Sequence, residues 1–205
     1  MGGDREKHPD VVSLTGQIGL SLLRLGPESF DLARKYLKEA TLLTRGMRRS
    51  RMNDLALASH LSNLGSLELE AQEPARARDL FREALAISEE LLGRQHPSLG
   101  PYHTNLGFAQ QQLRNHPEAQ HHYRRSADLY RSSVGVHHQA YVEAEINYLE
   151  NLFHSDSPTS DLRKKTEDLT RQALGLFDDI ISFGTERQRL NWLRENHLLT
   201  IPCSL

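Results

Sequence analysis

The tripeptide Asn-Leu-Gly occurs at Asn63–Gly65 and again at Asn105–Gly107, and a third asparagine, Asn147, stands at the same interval, so the chain carries a period of 42 residues. A fixed period of that length marks a stacked array of supersecondary units, each unable to bury its apolar face without neighbours. Within the clearest copy, Asn63 to Pro97, Ala77, Phe81, Ala84 and Ile87 recur at three- and four-residue spacing, which places them on one helix face. Short alanines allow two helices to approach closely, and Phe81 fills the groove between them.

The same pattern extends in both directions. Val11, Leu14, Ile18, Leu22 and Leu25 put one apolar face on a helix over residues 10–25, expected to pack as the first helix of a first repeat. Gly26-Pro27 ends it, and Phe30, Ala33, Leu37, Ala40 and Leu43 mark its antiparallel mate. The basic run Arg45–Arg51 reads as a solvated helix end, with a phosphate or acidic-peptide contact as the alternative. A helix over Leu55–Ala71 precedes one opened by Pro74, and Leu106, Gly107, Pro117, Ala119, Tyr123 and Leu129 repeat the arrangement. A further first helix is expected over His138–Phe153. Beyond the loop-forming Ser-Asp-Ser-Pro-Thr-Ser the period is lost, although Leu162 to Ile181 and a capping box at Thr185 and Gln188 predict two more helices. The expected organisation is an N-terminal tail (1–9), an all-α solenoid of about three and a half repeats (10–155) and a helical capping or docking segment (160–205).

A formal charge of −2 supplies no global attraction to nucleic acid or an anionic membrane, so neither is an expected partner. The single cysteine, Cys203, excludes an internal disulfide framework and a cysteine metal cage, which favours a reducing, cytoplasmic setting. The first residues lack the apolar core of a signal peptide, and no apolar run approaches membrane-spanning length. Glu6 departs from the myristoylation pattern and Cys203 is third from the end, not fourth, so no lipid anchor is expected.

With Leu64-Gly65, Ala77, Phe81 and Ala84 so spaced, and Leu-Gly-x-x-His-Pro at Leu92–Pro97, the chain resembles tetratricopeptide-repeat proteins, and specifically the longer repeats of kinesin light chains and many bacterial signalling proteins. The resemblance covers Leu55 to Val134 most clearly. It implies a right-handed superhelix of helix hairpins whose first helices line a concave groove for a peptide or protein segment. Residues 172–196 resemble the segment that joins repeats to the peptidase domain in CHAT proteins, which are caspase- and separase-like cysteine peptidases. That second resemblance implies a regulatory or truncated relative, with a CHAT peptidase domain as a possible partner.

In the repeat family, an asparagine at the place of Asn63, Asn105 and Asn147 faces the groove and bonds the backbone of a bound peptide. A carboxamide suits that role because it both donates and accepts. The competing reading is that the three asparagines bond between adjacent repeats and hold the stack. Ser59, Ser66, Phe108, Gln112 and Glu150 are the expected groove neighbours. No lysine or arginine column accompanies the asparagines, which argues against a clamp for a C-terminal carboxylate. Among eleven histidines, the adjacent pairs His121-His122 and His137-His138 diverge on a helix and offer one ligand each to a shared site, so no metal site is expected. Cys203 has no base beside it in sequence, and no phosphate loop or hydrolase motif is present. The expectation is therefore a non-enzymatic interaction scaffold with no cofactor, and the alternative is the non-catalytic part of a CHAT-type peptidase system. The oligomeric state stays open at this stage.

Overall fold

The computed structural model describes residues 8–136, 138–154 and 168. The expected capping segment, the CHAT-like stretch and Cys203 lie outside the described residues, apart from Asp168. Seven α-helices follow one another among the described residues: α1 (Pro9–Leu25), α2 (Phe30–Arg45), α3 (Arg51–Glu70), α4 (Pro74–Leu92), α5 (Gly100–Gln112), α6 (His116–Ser133) and α7 (Gln139–His154), with single 3-10 turns at Pro27–Ser29 and Pro97–Leu99. Successive helices pack as hairpins, α1 with α2, α3 with α4 and α5 with α6, and α7 lies on α6. The first helices also touch one another in the order α1, α3, α5, α7, forming one continuous row.

Local chemistry explains the reversals. Gln72 and Arg114, one period apart, both take left-handed backbone with φ of 61° and 59°. At each, the amide three residues past the helix reaches back to the last turn, Glu73 N to Glu68 O at 2.8 Å and Asn115 N to Gln110 O at 2.9 Å. This closure satisfies carbonyls that the helix end leaves open. The linkers between repeats use Gly93 and Gly135, also one period apart and also at positive φ, where a side chain would be strained. Thus the second linker keeps its geometry although its sequence has drifted. Histidine side chains cap the helices that follow: the Nδ1 atoms of His8, His96 and His138 accept from the amides of Asp10, Ser98 and Ala140 at 3.1–3.3 Å.

Inside each hairpin a glycine on the first helix meets a large side chain on the second. A Cβ on Gly65 would lie 2.6 Å from Phe81 Cε1, and one on Gly107 would lie closer still to Tyr123. Both aromatic rings are fully buried, as are Ala33, Ala77 and Ala119, where α2, α4 and α6 come closest to their mates. Gly19 stands in the same relation to Leu37. The first repeat is therefore present with Gln17-Ile18-Gly19 in place of Asn-Leu-Gly, and it is 46 residues long rather than 42.

Two expectations need correction. Helix α3 begins at Arg51 rather than Leu55, because Ser50 caps it by accepting from the Asn53 amide at 3.2 Å. The basic run accordingly spans a helix end and a helix start, and Arg49 pairs with Asp54. More consequentially, the apolar face of α1 is not core. Val12, Thr15, Gly16 and Gly19 are its buried side, whereas Val11, Leu14, Ile18 and Leu25 are exposed. The corresponding residues of α3, including His60 and Leu64, are covered by α1 and α2, and no repeat precedes α1 among the described residues.

Candidate functional site

The row α1, α3, α5, α7 carries the asparagines at one place in each of its last three helices. Asn63, Asn105 and Asn147 are all half-buried. Asn105 Nδ2 donates to Ser62 Oγ on α3 at 3.2 Å, so this amide bridges two repeats. No hydrogen bond engages the side chains of Asn63 or Asn147 among the described residues. In α1 the equivalent position is Gln17, an exposed carboxamide whose Nε2 reaches Ser13 Oγ at 3.4 Å. Its signal in the sequence was the preserved Gly19, displaced by four residues from the 42-residue grid.

Ser59 and Glu150 are exposed on α3 and α7. Ser66 is half-buried, and its hydroxyl donates back to Ser62 O at 3.2 Å within the helix. One turn beyond Asn105, Phe108 and Gln112 come together with Gln111, Arg114 and His116 around an open depression of about 480 Å³. The floor is rigid. Phe108 meets Tyr123 edge-on with centroids 5.7 Å apart, and the Tyr123 hydroxyl donates to Gln111 Oε1 at 2.7 Å. Burial pushes the Tyr123 phenol well above its ordinary range, so it stays a donor. On the far wall His116 Nδ1 donates to Asn151 Oδ1 at 2.9 Å, and Asn151 Nδ2 donates to the His116 carbonyl at 3.0 Å. Asn151, fully buried, thereby fixes α7 against the start of α6. The depression thus offers an aromatic edge, two carboxamides and one cation. It can hold an apolar or polar side chain by contact and hydrogen bonding.

The histidines arrange differently from the sequence pairs. His103 on α5 and His122 on α6 bring their Nδ1 atoms within 3.1 Å, and His121 lies edge-on to His122. Burial, with His122, Arg125 and His121 nearby, lowers His103 to about 3; burial, with His121 and Arg82 nearby, lowers His122 to about 4. No three histidine, cysteine, aspartate or glutamate side chains converge on a common point among the described residues. His137 lies outside those residues. Also absent from sequence reasoning was the ion pair between Arg34 on α2 and buried Glu68 on α3, Nε to Oε1 at 2.9 Å. Nothing in the periodicity pairs residues 34 apart.

The family model described as Tetratricopeptide repeat matches residues 56–132. The helical row and hairpin closure extend the same architecture on both sides of that match. The fold is a tetratricopeptide-repeat solenoid. Its likeness to solved solenoids spans most of the chain. A Q17M form of a Podosopora anserina protein, described as a kinesin light chain with nearly identical TPR-like repeats, aligns with a TM-score of 0.69 at 13% identity, over 81% of this chain and 76% of that one. Another structure of the Podosopora anserina protein aligns at 0.64 and 12% identity, over 87% and 79%. BtubC (BKLC) from P. vanneervenii aligns at 0.62 and 16% identity, over 87% and 75%. No curated protein matches the sequence. At these identities the likeness shows the fold alone. No helix among the described residues is long and apolar enough to cross a membrane.

Proposed function

We propose that this solenoid is a non-catalytic interaction scaffold whose inner row binds an extended segment of a partner protein. In this reading Asn63 and Asn147 bond the backbone of the bound segment, Asn105 contributes its remaining acceptor, and the Phe108–Gln112 depression receives one side chain. The observation that carries the reading is the recurrence of a half-exposed carboxamide at one place in three consecutive inner helices, beside an open depression with a fixed floor. A carboxamide grips any peptide unit, so selectivity rests on what surrounds it. Along the row the residues three positions beyond each asparagine are Ser66, Phe108 and Glu150, a graded series from small to aromatic to acidic. A segment with an apolar residue opposite Phe108 and a basic one opposite Glu150 fits that series.

Selection of binding peptides from a random display library against the purified chain supplies the ligand for a quantitative test. Asn63→Ala and Asn147→Ala should each weaken the selected peptide about 2- to 10-fold, the effect of one net hydrogen bond, with an unchanged melting temperature. Unchanged affinity in both variants, or selection of peptides indifferent to Phe108→Ala, refutes groove binding.

A further inference from the structure

The exposed side of α1 is the end face of the row. Val11, Leu14, Ile18 and Leu25 are 42%, 58%, 36% and 74% exposed, and Leu14 and Ile18 align with His60 and Leu64, by which α3 packs on the repeat before it. A solenoid end that meets only water requires a polar outer face. This one is apolar along the length of a 17-residue helix. It is also symmetric about its middle: Val11 and Leu25 stand seven residues either side of Ile18, and Leu14 and the half-buried Leu22 stand four either side. Its only exposed charges on that flank are Asp10 near one end and Arg24 near the other. Asp10 touches His8, and no acidic partner engages Arg24 among the described residues.

We propose that α1 docks on α1 of a second copy of this chain, antiparallel about a two-fold axis through Ile18. In that arrangement Ile18 meets its own counterpart, Val11 meets Leu25 and Leu14 meets Leu22. Asp10 and Arg24 lie on the same flank of the stripe, so each aspartate comes beside the arginine of the other copy. A two-fold contact must be self-complementary, and both the apolar spacing and the charge order meet that condition. A parallel pair would carry the partner's Asp10 and Arg24 to the opposite flank of the seam and leave the two charges unmatched. Residues 1–7 contain one large apolar side chain, Met1, and so match this face less well than a second α1 does.

Sedimentation velocity on the full chain tests the assignment. The mass should double between about 5 and 200 µM, the range expected of a contact this small. Ile18→Glu and Leu14→Glu change exposed residues, so both should keep the wild-type circular-dichroism melt and weaken the dimer at least tenfold. Asp10→Lys and Arg24→Glu should each weaken it, and the double exchange should restore it. A wild type that stays monomeric at the highest concentration, or a dimer unaffected by Ile18→Glu and Leu14→Glu, overturns the proposal. A double exchange that is no tighter than either single one overturns the antiparallel register.

Discussion

Replacing Gly107 by alanine tests the packing rule on which the solenoid rests. A helix interior ordinarily gains about 1 kcal/mol from that substitution, because glycine is the poorer helix former. Here the new Cβ would lie 2.6 Å from Tyr123 Cδ1 and 2.8 Å from Cζ, well inside contact distance. Relief requires the ring to move by about 1 Å in a close-packed interior. The ring is held on both sides, by Phe108 edge-on at 5.7 Å and by its hydroxyl bond to Gln111. Overpacking of this kind costs about 1–3 kcal/mol, so against that gain Gly107→Ala should be destabilised by up to about 2 kcal/mol. In a chain of this size that corresponds to a fall in Tm of up to about 8 °C.

The decisive comparison is Gly107→Ala in a Tyr123→Leu background. With the ring gone the Cβ has room, and the substitution should become neutral or stabilising. The two changes then couple by at least about 1 kcal/mol, as expected of residues in direct contact. Thermal melts followed by circular dichroism suffice for all four proteins. If Gly107→Ala raises Tm in the wild-type background, or lowers it equally in both, the close approach of α5 and α6 is not what glycine provides at this position.

Acid should loosen the third repeat. The His103–His122 contact needs one Nδ1–H facing one lone pair, and a further proton would set two N–H groups face to face, beside Arg82, Arg125 and His121. Because His103 is held near 3 when folded and near 6.5 when unfolded, the unfolded chain takes up the proton first; stability is complete above about pH 6.5 and is lost as pH falls toward 3. Between pH 7.5 and 5 the loss from His103 is about 2 kcal/mol, and denaturant titrations should show His103→Gln with a shallower pH dependence than wild type. Glu68→Ala should cost about 1.5–3 kcal/mol, since it removes the charged hydrogen bonds that join α2 to α3 and leaves the Arg34 guanidinium only Asp31 on its own helix; an unchanged urea midpoint would show that the pair does not hold the first two repeats together.

The hairpins α3–α4 and α5–α6 were legible in the sequence because each signal met its partner at a fixed interval. Gly65 and Phe81 are sixteen residues apart, and so are Gly107 and Tyr123. Helix α1 was legible as a helix but not as a packing face. Its apolar stripe showed which side would profit from cover, while the side that packs is built from Val12, Thr15, Gly16 and Gly19, of which only Val12 carries a hydrophobic signal. Small residues are chosen there because His60 and Leu37 press against the backbone. The polar pairs Arg34–Glu68, His103–His122 and His116–Asn151 were invisible for another reason. Each joins two helices through one contact that does not recur with the period, and periodicity reports only what recurs.

The asparagine column shows the same limit more finely, because three residues alike in sequence are unlike in surroundings. Asn105 has Ser62 across the row, and its amide is engaged there. One period on, the residue across from Asn147 is Thr104, whose hydroxyl lies 2.9 Å from Ser126 Oγ on α6. Ser126 spends its single proton on the Gly100 carbonyl at 3.0 Å, so Thr104 is the donor in that pair and is turned toward α6. One repeat back, the residue across from Asn63 is Gly16, which has no hydroxyl at all. The two readings of the column are therefore not exclusive: the inter-repeat bond belongs to Asn105, and no hydrogen bond engages the amides of Asn63 and Asn147 among the described residues. Asn105→Ala should consequently lower Tm, at a cost of about 0.5–1.5 kcal/mol for one net hydrogen bond, whereas the other two alanine variants should leave Tm in place and act on peptide affinity alone. Equal thermal losses in all three would mean that the column is a structural ladder, and the binding reading of Asn63 and Asn147 would fall with it.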